Sequence, residues 1–164
     1  MRFFHPLKSF LLLAGISAVF FQSCREYEVE QSRTLVRAHG NEVTLRWNDV
    51  FLQLDRYAVG YRPGPVPHAL GYLGFAAYEA VVPGMPEYNS LANLYSGLTV
   101  PQFDESLEYH WPTVINEVYA FMMKRFFFHM ENSYPTEFGL IEKTHQELYA
   151  KYAAETSPEI MERS

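Results

Sequence analysis

From residue 42 onward the apolar positions recur at spacings of three and four. Val43, Leu45, Trp47, Val50, Phe51, Leu54 and Val59 follow that rule, the period of a helix with one face turned inward. Asn41 stands where an N-cap belongs, and a turn bounded by Gly60 and Gly64 ends the stripe. Pro65 and Pro67 suit the first turn of a second helix, whose leading N–H groups have no intrahelical acceptor to lose. That helix should run to Val82 and stop at Pro83-Gly84. Residues 84–109 read as loop, with one short helix near residues 91–98. Pro112 opens a third helix reaching about Met130. Tyr134-Pro135 makes a turn, Thr136 is a candidate cap, and a fourth helix covers about residues 137–154. No useful stretch alternates with period two, and there is neither an internal repeat nor a low-complexity tract. The predicted class is all-α: a bundle of about four helices that forms part of a larger α-helical fold.

Two of these helices carry more apolar surface than a small bundle needs. The second bears Ala69, Gly71, Gly74, Ala76, Ala77 and Ala80, small residues that permit close approach of a neighbour. A membrane span is the rival reading. It would place Glu79 in hydrocarbon at a cost of roughly 2.5–3.5 kcal/mol, so a buried core helix is expected instead. The third contains Phe121-Met122-Met123 and Phe126-Phe127-Phe128 around Lys124 and Arg125. A helix apolar on nearly all sides must be covered on most of them, and three companions are expected to fall short. Ser157-Pro158-Glu159 reads as the start of a fifth helix, with a serine cap, proline at the first position and an acid in the first turn. Five residues follow Glu159, too few for a helix to stand alone. A truncated product of a longer protein and a frayed polar tail are the two readings.

The first residues change the expected address. Arg2 and Lys8 form a positive n-region, and residues 10–21 an apolar run broken only by Gly15 and Ser17. The run matches a signal h-region and is short of the roughly 20 residues that span a bilayer. Ser23 then precedes Cys24, the one cysteine of the chain. That order reads as a lipobox with Cys24 as the acylated residue; Phe21 and Gln22 depart from its usual residues, and an ordinary signal or uncleaved anchor is the alternative. The expected organisation is a signal peptide at 1–23, a linker at 24–41 and a helical domain at 42–164. A single cysteine rules out an intrachain disulfide, so packing must supply stability. Without Arg2 and Lys8 the formal net charge moves from −6 to −8. With no basic stripe, nucleic acid is not an expected partner.

Several short motifs occur in a telling order: Trp47 in an apolar helix, the turn Arg62-Pro63-Gly64-Pro65-Val66-Pro67, then Ala77-Tyr78-Glu79-Ala80, then Tyr88-Asn89-Ser90-Leu91, then Tyr109-His110-Trp111 before the aromatic helix. Over residues 43–155 this order resembles the front, helical half of the vanadium-dependent haloperoxidase family, within the type-2 phosphatidic acid phosphatase superfamily. The resemblance implies a helical scaffold that packs against a catalytic bundle. It also implies that the vanadate or phosphate site, built in that family from lysine, arginines, serine, a glycine amide and histidines in Lys-x6-Arg-Pro, Pro-Ser-Gly-His and Ser-Arg-x5-His patterns, belongs to a portion this chain lacks. Arg62-Pro63 matches the first pattern only in part, since the residue seven earlier is Asp55; Arg62 is therefore a turn residue.

Other chemistry has thinner support. Glu142-Lys143-Thr144-His145 has the Glu-x-x-His spacing of a di-iron bundle, with Glu79 and Glu117 as candidate further ligands, but a second Glu-x-x-His is missing. A solvated helix face is the plainer reading. His129 lacks ligand spacing, His110 reads as a capping or packing residue, and His68 as a local hydrogen-bonding one. Glu79 is expected to pair with Arg46, Arg56 or Arg62. No catalytic, cofactor or metal residue is assigned, and whether the chain is an enzyme stays open; Cys24 is the one modification site. The expected function is an exported, lipid-anchored scaffold whose partner is a missing catalytic half or helical partner, with the membrane reached through Cys24. The alternative is a free-standing lipoprotein of the cell envelope that binds a partner or a lipid-like ligand.

Overall fold

The computed structural model describes residues 35–100 and 103–164. Among them it has five α-helices and no strand: α1 (Glu42–Asp55), α2 (Pro65–Val81), α3 (Trp111–Phe127), α4 (Pro135–Ala153) and α5 (Pro158–Arg163). Single 3-10 turns lie at Val36–Ala38, Val82–Gly84, Leu91–Leu94 and Phe128–Met130. The all-α class holds. The signal run, Cys24 and most of the linker lie outside the described residues.

Local chemistry set the helix starts with mixed success. Proline occupies the first turn of α2, α3, α4 and α5. The Ser157 side chain accepts the Ile160 N–H at 3.4 Å, as its cap role requires. Asn41 holds the N-cap position of α1 without a side-chain bond. Thr136 is not a cap at all: α4 begins one residue before it, with Tyr134 at the N-cap. The short helix expected at 91–98 closes after one 3-10 turn, Leu91–Leu94.

The central rod is α3, which contacts α1, α2 and α4, while α1 and α4 also pack on each other. Trp47, Phe51 and Leu54 of α1 meet Met123 and Phe127 of α3 and Ile141 of α4, all almost wholly buried. The Phe51 and Phe127 rings lie edge-on with centroids 5.2 Å apart. Trp47 stacks on Tyr119 at 6.1 Å and donates its indole N–H to Asn116 Oδ1 at 3.0 Å. Asn116 in turn donates to the carbonyl of His145 on α4 at 3.2 Å. One buried amide thus ties three helices together.

Three expectations are corrected. First, α2 is not a buried core helix. It packs chiefly on α3, and only Ala69, Leu73 and Val81 are buried. Gly71 and Gly74 are exposed, with nothing within 4 Å of where a Cβ would stand, so their small size serves no close helix contact. The cause lies in α3: its opposite sides are already taken by α1 and α4, and nothing in the described chain remains to cover the outer face of α2. Second, part of the linker is structured. Val36–Ala38 forms a 3-10 turn, Arg37 pairs with Glu87 at 3.1 Å, and the His39 ring meets His110 edge-on at 5.3 Å. Third, the apolar third helix is better covered than expected. Phe127 is fully buried and Phe126 partly so, although Phe121 and Phe128 remain 64% and 68% exposed. The fifth helix forms, held by Met161 against the start of α3, where Thr113 Oγ1 lies 3.3 Å from its sulfur.

Gly84 and Gly74 should answer oppositely to an added methyl. A Cβ on buried Gly84 would stand 2.4 Å from the buried Trp111 ring, so Gly84→Ala should lower stability in urea melts by about 1–3 kcal/mol. Gly74→Ala, in an exposed mid-helix position with open space, should raise it by about 0.5–1 kcal/mol. Equal effects of the two would contradict this packing.

Candidate binding groove

Between α2, the loop residues Ser90, Val100, Phe103 and Tyr109, and α3 runs a groove of about 790 Å³. Its walls are Ala76 and Ala80 of α2 and Val114, Val118 and Phe121 of α3. Phe103, Tyr109 and Trp111 form one aromatic cluster beside them, with centroids 4.7 Å apart for Phe103–Tyr109 and 5.8 Å for Tyr109–Trp111. The missing side chain of Gly84 is what lets Trp111 lie flat at this end. Arg163 and Ser164 close the margin from α5.

Two motifs noted separately in the sequence meet here. Tyr78 Oη donates to the Asn89 carbonyl at 2.8 Å. Glu79 accepts from Ser90 Oγ at 2.6 Å and from the Leu91 N–H at 2.7 Å, while Ser90 Oγ accepts the Ala92 N–H at 3.0 Å. The Ala-Tyr-Glu-Ala and Tyr-Asn-Ser-Leu segments are therefore two halves of one clasp. Its carboxylate satisfies the free donors at the start of the Leu91–Leu94 turn, as an acidic residue at a helix start does. This corrects the expectation of an arginine partner for Glu79. Arg46 pairs with Glu147 at 3.1 Å, Arg62 pairs with buried Asp55, and Arg56 has no carboxylate partner among the described residues. Arg62 is thus more than a turn residue: it neutralises the carboxylate at the end of α1.

Glu117, a groove residue, accepts from His145 Nε2 at 2.6 Å. The other ring nitrogen, Nδ1, is buried with no hydrogen-bond partner. An imidazole acting as a base on a nucleophile needs a hydroxyl or thiol against that nitrogen, and none meets it. Glu142 faces elsewhere, bonded to Lys124 at 2.6 Å and Gln146 at 2.8 Å. Glu117 and His145 thus meet, but Glu79 and Glu142 are bonded elsewhere, and no group of three His, Cys, Asp or Glu among the described residues is placed to hold a metal. His129 stacks on Tyr61 at 5.1 Å. The His68 side chain is exposed and makes no hydrogen bond among the described residues, against the local bond expected of it.

Of the capping or packing role expected of His110, the packing one is what the structure shows: it stands at the N-cap of α3 without a side-chain cap bond. Its Nδ1 lies 2.8 Å from Thr113 Oγ1, its backbone N–H donates to Ser164 Oγ at 2.9 Å, and its ring packs on His39 and Tyr152. Burial, with a smaller contribution from His39, pushes its pKa down to about 4. It is therefore neutral near pH 7, and Nε2 at 3.9 Å from Glu155 makes no ion pair there. Asn116 is the one important residue that sequence patterning passed over. A lone asparagine in an apolar helix was the available signal. No helix among the described residues is long and apolar enough to cross a membrane. The chain matches no family model, no curated protein and no solved structure.

The low pKa of His110 gives a pH dependence of fixed sign. Between pH 6.5 and about 4 the unfolded chain binds a proton at this site that the folded chain refuses, so stability falls as pH falls. Above pH 6.5 the site is neutral in both states and contributes no slope. Melting temperatures of the wild type and His110→Asn across pH 4–8 should therefore diverge in slope only below pH 6.5, with the variant flatter. Parallel curves throughout would show that His110 titrates normally in the fold.

Proposed function

We propose that this chain is an exported helical scaffold, anchored by a lipid on Cys24, that docks an apolar helical partner in the α2–α3 groove. The observation that carries the reading is the uncovered apolar lining: Phe121 is 64% exposed, and Ala76, Ala80, Val114 and Val118 beside it are only partly covered. Isolated exposed side chains are ordinary, but a continuous apolar groove marks an interaction surface. The carboxylates near it are engaged in holding the fold, Glu79 in the loop clasp and Glu117 with His145. The resemblance to the front half of vanadium-dependent haloperoxidases supports a partner that carries the vanadate or phosphate chemistry. In that reading the catalytic lysine, arginines and histidine come from the partner, and this chain supplies the wall they are mounted against.

A second reading is favoured by the groove's size. About 790 Å³ falls in the roughly 300–1,000 Å³ range of small-molecule sites, which suits a lipid-like ligand bound by a free-standing lipoprotein.

The two readings separate on the full-length protein. Docking of a helix predicts that a neutral amphipathic peptide binds and that Phe121→Asp abolishes this without lowering the melting temperature, since Phe121 is exposed. If a fluorescent fatty acid binds stoichiometrically and the peptide does not, the lipid reading replaces the scaffold. The anchor has its own check. Labelled palmitate should enter the wild type, and Cys24→Ser should lose both the label and the membrane fraction; membrane retention by unlabelled Cys24→Ser would remove the lipid anchor.

A further inference from the structure

The charge along the groove-forming part of the chain is one-sided. From Pro63 to Met123 there is no lysine or arginine, while Glu79, Glu87, Asp104, Glu105, Glu108 and Glu117 all fall there. This stretch contains α2, the whole loop and the first three turns of α3. Of the six acids only Glu87 has a cationic partner of fixed charge among the described residues, Arg37. Glu79 and Glu117 line the groove itself, and Asp104, Glu105 and Glu108 sit on the exposed turn between its residues Phe103 and Tyr109. Arg163, brought in by α5, is the single cation on the lining among the described residues. The chain's lysines and arginines lie mainly on other surfaces, where Arg46, Lys124, Lys143 and Lys151 pair with carboxylates on α1 and α4. Neutralising an acidic rim around an apolar floor takes a partner with apolar residues on one face and basic residues along its edges.

We infer that the groove selects a basic amphipathic helix: apolar residues at positions i, i+3, i+4 and i+7 seated against Ala80, Val118 and Phe121, and lysines or arginines flanking them toward Glu105 and Glu108. This deepens the docking reading above and rests on it. Helix-in-groove recognition places its energy in the apolar anchors, and complementary charge sets partner choice and the rate of encounter. The apolar floor alone does not distinguish one helix from another; the rim does. A partner with acidic flanks would bring like charges together over a lining whose one lysine or arginine among the described residues is Arg163.

The test uses three helical peptides of about 18 residues sharing one apolar face, with lysine, glutamine or glutamate at the flanking positions, titrated into the full-length protein. The lysine peptide should bind at least about tenfold more tightly than the glutamine peptide, and the glutamate peptide more weakly than either. Raising salt from about 50 to about 500 mM should erase most of the difference, since the rim charges are exposed. Glu105→Lys with Glu108→Lys should reverse the preference of lysine over glutamate, a change no folding defect produces; both side chains are exposed, and an unchanged melting temperature checks this. If all three peptides bind equally and all depend on Phe121, the docking reading stands and the charge selection is wrong. If none binds, or if the protein instead self-associates through Phe121, the basic-helix partner is overturned together with the docking reading.

Discussion

The indole N–H of Trp47 is buried completely, and a buried donor left without an acceptor costs about 1–3 kcal/mol. It has one acceptor, the side-chain oxygen of Asn116. The same amide donates to the backbone of α4 at His145, so α1, α3 and α4 are held in a single relative placement. Apolar packing between Phe51 and Phe127, or Leu54 and Met123, supplies most of the burial, but it is non-directional. The amide gives that packing its register. Thr113, three residues earlier on α3, is also buried, with its hydroxyl against His110 Nδ1, so the inner side of α3 is polar at intervals and satisfied.

The unusual shape follows from that placement. With α1 and α4 fixed on α3, the second helix has only the remaining flank to occupy. It meets α3 through Ala69, Leu73 and Val81 and leaves its other residues outward. The Val82–Gly84 turn then sends the chain into a long loop, which returns to α2 through the Glu79 clasp before Trp111 starts α3 over Gly84. The groove is the space this detour encloses. It is an outcome of where the loop is pinned, and the two pins are a carboxylate and a missing side chain.

Charge is distributed to match this division of surfaces. On the α1–α4 side, opposite charges are interleaved, as in Arg46–Glu147 and Lys124–Glu142, a pattern that solvates a face. On the groove side nearly every charge is negative. The C-terminal turn of α5 joins these regions, because Met161 is seated on Thr113 and Ser164 on the His110 backbone. The neutral His110 ring under it, packed on His39 from the N-terminal side, makes this corner sensitive to acid.

The sequence by itself determined the elements, because helix periodicity, proline at helix starts and the glycine turns are local properties. Even the six-residue α5 was legible from Ser157-Pro158-Glu159. It also marked an excess of apolar surface on the second and third helices, since hydrophobicity is a sum over residues. What only the tertiary structure decided was who covers whom. The small residues of α2 promised a close neighbour, yet Gly71 and Gly74 face open space. Glu79 sought a counter-charge in any pairing argument and found the Ser90 hydroxyl and the Leu91 N–H, eleven and twelve residues away. Asn116 carried no motif and became the tie between three helices. Partners of that kind are set by which surfaces remain after the tightest packing has formed, a non-local competition that one-dimensional spacing does not encode.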